Sequence, residues 1–270
     1  MNTSYETGLI TGASAGLGEE FASQLVERLS RLILVARRGE RLEEIARTLR
    51  DRFEVDVHVI VADISQAAER ERLYKEVSDK GWAVDILINN AGVGDYGEFH
   101  TSEWARNESM LKVNIEALTH LTHLFLPAMI AREGGAFVNV SSLASILPIP
   151  DFAVYAATKA YVSSFSEALR LEVRPFGIEV LAVCPGPVKT EFGAVAGRQE
   201  GGIGMPSGSD NFYVAKQQVV SESLAALEAG RARVYPGWKI AVAAAGISLL
   251  PMAAIRLIMG SRPRRQKLLE

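Results

Sequence analysis

Short apolar runs alternate with longer amphipathic stretches along most of this chain. Runs rich in Val, Ile, Leu and Ala, with the length of strands, occupy residues 8–11, 32–36, 55–62, 85–89, 136–140 and 178–184. Between them, positions such as Leu42, Ile45 and Leu49 repeat at helical spacing. Strands that are apolar at nearly every position are buried on both faces, as in a parallel sheet with helices on each side. The pattern therefore predicts the α/β class, with a doubly wound Rossmann-like fold, a parallel sheet and a single domain over residues 1–270.

The composition is that of an ordinary globular protein, and it narrows the function classes. The 270 residues include 29 Lys or Arg and 32 Asp or Glu, which gives a net charge of −3. A chain this close to neutral lacks a basic footprint, so we expect no nucleic acid partner. One cysteine, Cys184, excludes a disulfide framework, and the four histidines lack metal-ligand spacing, so we expect no metal site. Because the N-terminus does not resemble a secretory signal, we expect a cytoplasmic location.

A glycine-rich turn connects the first predicted strand to a helical run over residues 20–29. Glycines permit a positive φ and a close backbone approach, while free N–H groups and the helix dipole attract phosphate. The alternative is a tight turn that packs the helix and binds nothing. The turn reads Thr-Gly-Ala-Ser-Ala-Gly-Leu-Gly over residues 11–18. Its predicted cofactor-binding residues are Gly12, Ser14, Ala15, Gly16, Leu17 and Gly18.

The end of the second predicted strand indicates which dinucleotide this turn binds. In NAD-binding folds an acidic residue about 20 positions after the glycines holds the ribose hydroxyls. Here the strand ends with Arg37 and Arg38, and no carboxylate stands there to repel a 2′-phosphate. A guanidinium offers a planar fork that suits a phosphate. The sequence therefore predicts NADP(H) rather than NAD(H), with a solvated arginine pair as the alternative.

Candidate acid–base chemistry lies in the second half of the chain. Tyr155 and Lys159 are four residues apart in a helical run, so their side chains share a face. A phenol has an ordinary pKa of about 10, and a nearby ammonium lowers it towards a useful range. Upstream, the fifth predicted strand ends at Ser142, at the carboxyl edge where ligands of parallel sheets bind. Tyr235 and Lys239 share the same spacing but are separated by a Pro-Gly break, so we interpret them as a chance match without a catalytic role.

Taken together, these motifs resemble the short-chain dehydrogenase/reductase family, in its single-domain NADP(H)-preferring branch, over about residues 7–190. The resemblance rests on the order and spacing of T-G-x-x-x-G-x-G at 11–18, N-N-A-G at 89–92, Asn114, Ser142, Tyr155 with Lys159, and P-G-P-V-K-T at 185–190.

The resemblance implies a role for each matching residue. Tyr155 is expected to be the general acid in reduction and the base in oxidation, while Ser142 polarises the substrate oxygen. Lys159 is expected to lower the pKa of Tyr155 and bind the nicotinamide ribose, and Asn114 to hold a water in a proton relay. Further cofactor contacts are implied at Asp63, Ile64, Asn90, Ala91, Gly92, Pro185, Gly186, Val188 and Thr190.

Two of these positions carry a reservation. Asp63 is expected to contact adenine, but an N-terminal helix cap is the alternative. Ala15 stands where some NADP-preferring relatives have a basic residue, which leaves Arg37 and Arg38 to select the phosphate.

The expected function is that of an NADPH-dependent carbonyl reductase or secondary alcohol dehydrogenase. The predicted substrate-pocket residues are Val93, Tyr96, Leu143, Ile146 and Phe192. Because these side chains are mainly apolar, a hydrophobic ketone or 3-oxoacyl substrate fits better than a sugar or a dicarboxylate. The alternative from another class is a non-catalytic NADP(H)-binding regulator or scaffold. A nucleotide-sugar epimerase or dehydratase is disfavoured by the glycine spacing and the short region beyond residue 190.

Two segments near the C-terminus are set apart by composition. Residues 188–212 are rich in glycine and predict a mobile lid, with a plain surface loop as the alternative. Within an apolar segment at 238–260, residues 240–255 carry no charge but fall short of the roughly 20 needed to span a bilayer. Because Pro251 interrupts the segment, it predicts two short pieces that cover the pocket or a subunit interface. Peripheral membrane contact is the alternative.

The resemblance also implies self-association. Relatives pair the long helices after the fourth and fifth strands, here about residues 103–132 and 154–174, so we expect a homodimer or homotetramer.

Overall fold

The structure is a computed structural model that describes residues 5–197 and 212–260. Within these residues, seven parallel strands form one sheet in the order β3-β2-β1-β4-β5-β6-β7. The strands are β1 (Thr7–Thr11), β2 (Arg31–Ala36), β3 (Asp56–Val61), β4 (Ile86–Asn89), β5 (Gly135–Val140), β6 (Ile178–Val183) and β7 (Arg233–Val234). Successive strands are added towards one edge of the sheet from β1 to β3 and towards the other edge from β4 onwards. Ligands of doubly wound folds bind at this switch point, between β1 and β4.

Helices connect the strands and cover the sheet. The α-helices are α1 (Gly16–Leu25), α2 (Gly39–Arg52), α3 (Ala67–Asp79), α4 (Trp104–Met110), α5 (Leu118–Ala131), α6 (Ala153–Val173), α7 (Glu191–Ala196), α8 (Lys216–Glu228), α9 (Trp238–Leu249) and α10 (Met252–Gly260). Short 3-10 turns follow α1, α6 and β5 and precede α4. The predicted Rossmann-like class is confirmed.

Alternate residues of each central strand enter two separate hydrophobic cores. In β2, Leu32 and Leu34 pack with α1, α2 and α8, while Ile33 and Val35 pack with α3, α5 and α6. Successive side chains of a strand point to opposite faces, so a strand that is apolar throughout requires helices on both sides. This is the physical basis of the continuous apolar runs in the sequence.

Two elements differ from the sequence expectation. Strand β7 was not predicted, because two residues are too few to show a periodicity. The helix expected over about 103–132 is divided into α4, a π-helical segment at Leu111–Ala117, and α5. The wider π turn contains Asn114, and such turns frequently mark functional sites.

The apolar C-terminal segment forms two helices, as its proline predicts. Helices α9 and α10 meet at Leu250 and Pro251 with a bend of 116°. Among the described residues, no helix taken alone has the length and apolarity of a membrane span, although the bent pair does when its two parts are combined.

A buried arginine ties helix α3 to helix α5 and to the end of β3. Arg70 is almost fully buried, and its guanidinium donates to the Ile64 carbonyl (2.7 Å) and to Nδ1 of His120 (2.9 Å). It also pairs with Glu116. Each nitrogen of this buried guanidinium therefore has a hydrogen-bond partner, which is what makes a charge in the interior tolerable.

Removing that guanidinium is expected to destabilise the fold. Arg70→Ala leaves the Ile64 carbonyl unsatisfied, so the free energy of unfolding should drop by about 2–4 kcal/mol in urea denaturation. Arg72→Ala is the matched control on the same helix, because Arg72 is half exposed and pairs only with surface carboxylates and the Val61 carbonyl. It should change the stability by less than about 1 kcal/mol. Equal losses in the two variants would contradict this assignment.

Candidate active site

Lys159 holds the first turns of α6 against the end of β5. Its ammonium is buried and donates to the Val140 carbonyl at 2.8 Å. The Ser141 hydroxyl bonds the Lys159 carbonyl (2.8 Å) and lies 2.8 Å from the Ser163 hydroxyl. Burial lowers the pKa of Lys159 to about 8, because a charge loses its water there.

Asn114 reaches the same point from the π-helical segment. Its amide donates to the Val93 carbonyl (2.9 Å) and to the Thr158 hydroxyl (3.0 Å), and its oxygen accepts from the Val93 N–H. A Cβ placed on Gly92 would lie 3.3 Å from Lys159 Nζ and 3.4 Å from Asn114 Oδ1. The ammonium and the amide oxygen thus both lie against Gly92.

Tyr155 lies one helical turn before Lys159, inside an apolar cluster. Phe152 stacks on its ring at a centroid distance of 4.1 Å, and Phe192 of α7 covers it at 5.5 Å. The Lys159 ammonium is 5.7 Å from the centre of the ring. Burial raises the pKa of Tyr155 to about 12, and a hydrogen bond with Ser142 opposes that rise.

The pKa of Tyr155 is therefore shifted in the direction opposite to the one expected from the sequence. Lys159 was predicted to lower the pKa of Tyr155, but its ammonium is bonded to the Val140 carbonyl while aromatic rings exclude water from the phenol. In the chain without a ligand, desolvation therefore determines the ionisation of Tyr155.

Ser142 lies between the strand end and the cluster. It is the N-cap of the 3-10 turn Leu143–Ile146, and its hydroxyl accepts from the Ala144 N–H at 3.1 Å. The four predicted catalytic residues Asn114, Ser142, Tyr155 and Lys159 are thus brought together at the carboxyl edge of β4 and β5.

The glycine turn forms a cradle beside this cluster. Gly12 and Gly16 have φ values of +65° and +60°, a region that favours glycine. A Cβ on Gly18 would lie 2.3 Å from the Gly12 carbonyl oxygen, so only glycine permits this close packing. Asn90 braces the turn, since its amide donates to the Thr11 and Gly12 carbonyls at 3.0 and 3.2 Å.

The cradle fits a phosphate group. Helix α1 begins at Gly16, and among the described residues no side chain caps its N-terminal N–H groups. Uncapped N–H groups at the positive end of a helix form an anion site. The residues present therefore fit the diphosphate of a dinucleotide.

Arg38 is the arginine that faces the glycine turn. Its guanidinium donates to the hydroxyl of Ser14 (3.2 Å) and to the carbonyl of the same residue (3.1 Å); Arg37 and Arg38 are both exposed. The third donor of Arg38 pairs with Glu191 of α7 at 3.0 Å. Glu191 is not among the residues predicted from the sequence, where its only signal is an acid directly after the P-G-P-V-K-T motif.

Other predicted cofactor residues have identifiable structural contacts. Asp63 accepts from the Ser65 N–H, and the N-cap of α3 is Gln66, so Asp63 does not cap that helix. Ile64 is buried. The Ala91 N–H donates to Thr11 Oγ1 at 3.1 Å, and Leu17 packs against the core.

The last motif follows β6 along the same edge. Pro185 accepts from the Leu143 N–H, and Gly186 packs against Ile240 of α9. Val188 forms a bridge with Val214, and Thr190 caps α7. A Cβ on Gly16 would touch the Thr190 side chain at 3.3 Å, so this motif lies across the cradle from the glycine turn.

The predicted pocket residues divide into two groups. Val93, Tyr96 and Phe192 join Tyr155 in its apolar cluster, together with Phe152, Met110 and Ala144. Leu143 instead packs into the core on the α1 face of the sheet, because its 3-10 turn directs it there. Ile146 is half-buried in that same turn.

Part of the predicted lid covers the site. Helix α7 places Phe192 on Tyr155, and the Tyr96 N–H donates to the Ala196 carbonyl at 2.8 Å. Residues 198–211 of the predicted lid lie outside the described residues. Phe152 and Thr158 are also not among the predicted site residues, although both lie within three residues of Tyr155.

The family follows from a sequence comparison. The model of the short chain dehydrogenase family matches residues 6–201. The chain belongs to this family. It is 32% identical over 194 residues to a very-long-chain 3-oxoacyl-CoA reductase of Anas platyrhynchos, with 70% of this chain and 61% of that protein covered. It is 35% identical over 189 residues to the inactive hydroxysteroid dehydrogenase-like protein 1 of Homo sapiens, covering 69% and 57%. The chain thus matches less than two thirds of the length of either curated relative.

A solved structure of the family extends the comparison to nearly the whole chain. The short-chain dehydrogenase from Sphingobium yanoikuyae in complex with NADPH has a TM-score of 0.80 and 30% identity. The match covers 97% of this chain and 98% of that chain. The dehydrogenase fold therefore includes helices α9 and α10.

The packing of Phe192 on Tyr155 can be tested through the pKa of the Tyr155 phenol. Phe192→Ala removes one ring from the cluster, so the raised pKa of Tyr155 should fall back towards the ordinary value of about 10. The difference in tyrosinate absorbance between Phe192→Ala and Phe192→Ala/Tyr155→Phe, followed from about pH 8 to about pH 11, then shows an ionisation that the same difference for the unmodified chain and Tyr155→Phe lacks. The control is Val195→Ala, because Val195 is exposed on the same helix. Identical titrations of Phe192→Ala and the unmodified chain would show that Phe192 does not exclude water from Tyr155.

Proposed function

We propose that this protein is an NADPH-dependent oxidoreductase that interconverts a hydrophobic ketone or 3-oxoacyl group and the corresponding secondary alcohol. One observation carries the proposal: Tyr155, Lys159, Ser142 and Asn114 meet at one sheet edge, beside an uncapped glycine cradle. Proton-transfer groups and a dinucleotide cradle at the same edge are what hydride transfer to a carbonyl requires.

Each residue has a defined task in this proposal. NADPH supplies the hydride when it is bound. Tyr155 donates its proton to the substrate oxygen, and its raised pKa keeps the phenol protonated at neutral pH. Ser142 donates to the same oxygen and stabilises the charge that develops there. Lys159 is cationic below about pH 8, so it supplies the proton that returns to Tyr155, by way of a water that Asn114 would hold.

Two features favour NADPH over NADH. Arg37 and Arg38 directly follow β2, with no carboxylate beside them in the sequence. Arg38 donates two hydrogen bonds to Ser14 of the glycine turn. A 2′-phosphate at this point gains charge-assisted hydrogen bonds. The NADPH held by the Sphingobium yanoikuyae enzyme supports the same choice.

The lining of the site favours an apolar substrate. Val93, Tyr96, Phe152 and Phe192 surround Tyr155 with little polar surface. The Anas platyrhynchos relative is named a very-long-chain 3-oxoacyl-CoA reductase, which supports substrates with long apolar chains. A sugar or dicarboxylate would lose its hydration in this cluster without new hydrogen bonds.

A non-catalytic NADPH-binding protein is the second candidate, since the human relative is named inactive. The retention of all four predicted catalytic residues favours the enzyme, and turnover distinguishes the two.

Tyr155→Phe removes the proton donor and preserves the ring. We expect NADPH oxidation with apolar ketones to fall by about 100-fold or more, while NADPH binding changes little. Tyr161→Phe on the same helix is the control, because its phenol is bonded to Thr119 and lies outside the cluster. Full NADPH oxidation in Tyr155→Phe, or tight NADPH binding without turnover of any carbonyl in the unmodified chain, would contradict the proposal.

Glu191 competes with a 2′-phosphate for Arg38. The pair is largely exposed, so Glu191→Gln should tighten NADPH binding by only about two- to fivefold. Arg38→Met should weaken NADPH binding by about tenfold, and neither change should alter the Kd for NADH. Glu43→Gln removes the same charge from a surface pair with Arg50 and serves as the control. Equal shifts for NADPH and NADH would show that this ion pair does not contact the 2′-phosphate.

A further inference from the structure

Helices α9 and α10 form an elbow with an unusual exposed surface. We call residues 238–260 the C-terminal elbow. Leu249 and Leu257 are 85% and 77% exposed, and its large exposed apolar side chains are Trp238, Val242, Leu249, Leu250, Met252, Leu257 and Ile258. An apolar surface of this kind marks a contact with a protein or a membrane.

The inner face of the elbow is anchored beside the active site. Its buried residues are Ile240, Ala244 and Ile255. Ile240 packs on Gly186 of the P-G-P-V-K-T motif, and α9 packs against the 3-10 turn that follows Ser142. The exposed apolar side chains therefore face away from the body of the protein at a fixed position.

Charge at this end of the chain is strongly one-sided. From the start of the elbow to the end of the sequence, residues 238–270 contain six Arg or Lys and one acidic residue, Glu270, although the whole chain has a net charge of −3. Within the elbow itself, the charged residues are Lys239 and Arg256. The occupant of this surface must therefore accept apolar side chains and also carry negative charge.

We propose that the C-terminal elbow docks this protein onto the surface of a bilayer that contains anionic phospholipid. Apolar side chains enter the boundary between headgroups and acyl chains, and basic residues at the end of the chain contact acidic headgroups. The 116° bend suits two helices lying in the interface rather than one crossing it. A second copy fits less well, because it would bring the same positive charge against this one.

The position of the elbow suggests what docking achieves. Because α9 contacts the turn after Ser142, the bilayer would lie next to the apolar cluster around Tyr155. A hydrophobic substrate could then enter without crossing water. This consequence rests on the proposed function, whereas the docking itself does not.

Vesicle flotation of the full chain tests the docking without any turnover. We expect the protein to float with phosphatidylcholine vesicles that contain about one third phosphatidylglycerol, and about tenfold less with phosphatidylcholine alone. The double variant Leu249→Ser/Leu257→Ser should lose about tenfold of its binding to the anionic vesicles. Leu171→Ser is the control, since Leu171 is 73% exposed on α6, outside the elbow.

Light scattering and NADPH binding accompany the flotation. Retained NADPH binding in the double variant shows that it folds. No flotation of the unmodified chain, or equal flotation of the double variant, overturns the proposal. A dimer that becomes a monomer in the double variant, without vesicle binding by either, assigns the elbow to a second copy instead. Flotation by a chain that reduces no carbonyl would overturn the proposed function and leave the docking intact.

Discussion

The buried ammonium of Lys159 is the constraint on which the rest of the site depends. A charge inside a protein is tolerated only where it is hydrogen-bonded, and the Val140 carbonyl at the end of β5 accepts this one. That bond fixes the start of α6 on the sheet edge, and the Ser141 hydroxyl reinforces it through the Lys159 carbonyl. Tyr155, one turn earlier, has its position set by the same contact.

The cofactor cradle depends on the absence of side chains. Gly92 leaves room for the Lys159 ammonium and the Asn114 oxygen, while Gly12 and Gly18 let the glycine turn close on itself. Across that cradle, Arg38 links the turn to Glu191 of α7, and Phe192 of the same helix covers Tyr155. One short helix therefore contacts both the predicted phosphate end and the proton-transfer end of the site.

Local patterns in the sequence predicted the fold and most of the candidate site. Continuous apolar runs predicted six of the strands because burial on both faces leaves no polar positions, and the spacing of Tyr155 and Lys159 follows from one helical turn. Contacts between distant segments could not be predicted. The pairing of Arg38 with Glu191, the orientation of Leu143 and the raised pKa of Tyr155 all depend on how segments pack after folding.

The ionisation of Lys159 tests the account most directly. Lysine labelled with 13C at Cε reports each ammonium by NMR, and Lys159→Met identifies the signal. If Lys159 is buried as described, one lysine signal titrates near pH 8, and this signal is missing from the spectrum of Lys159→Met. If Lys159 instead titrates with the other lysines at about 10.4, its ammonium is in water. The buried contact between this ammonium and the Val140 carbonyl, from which the proposed chemistry is derived, would then not exist.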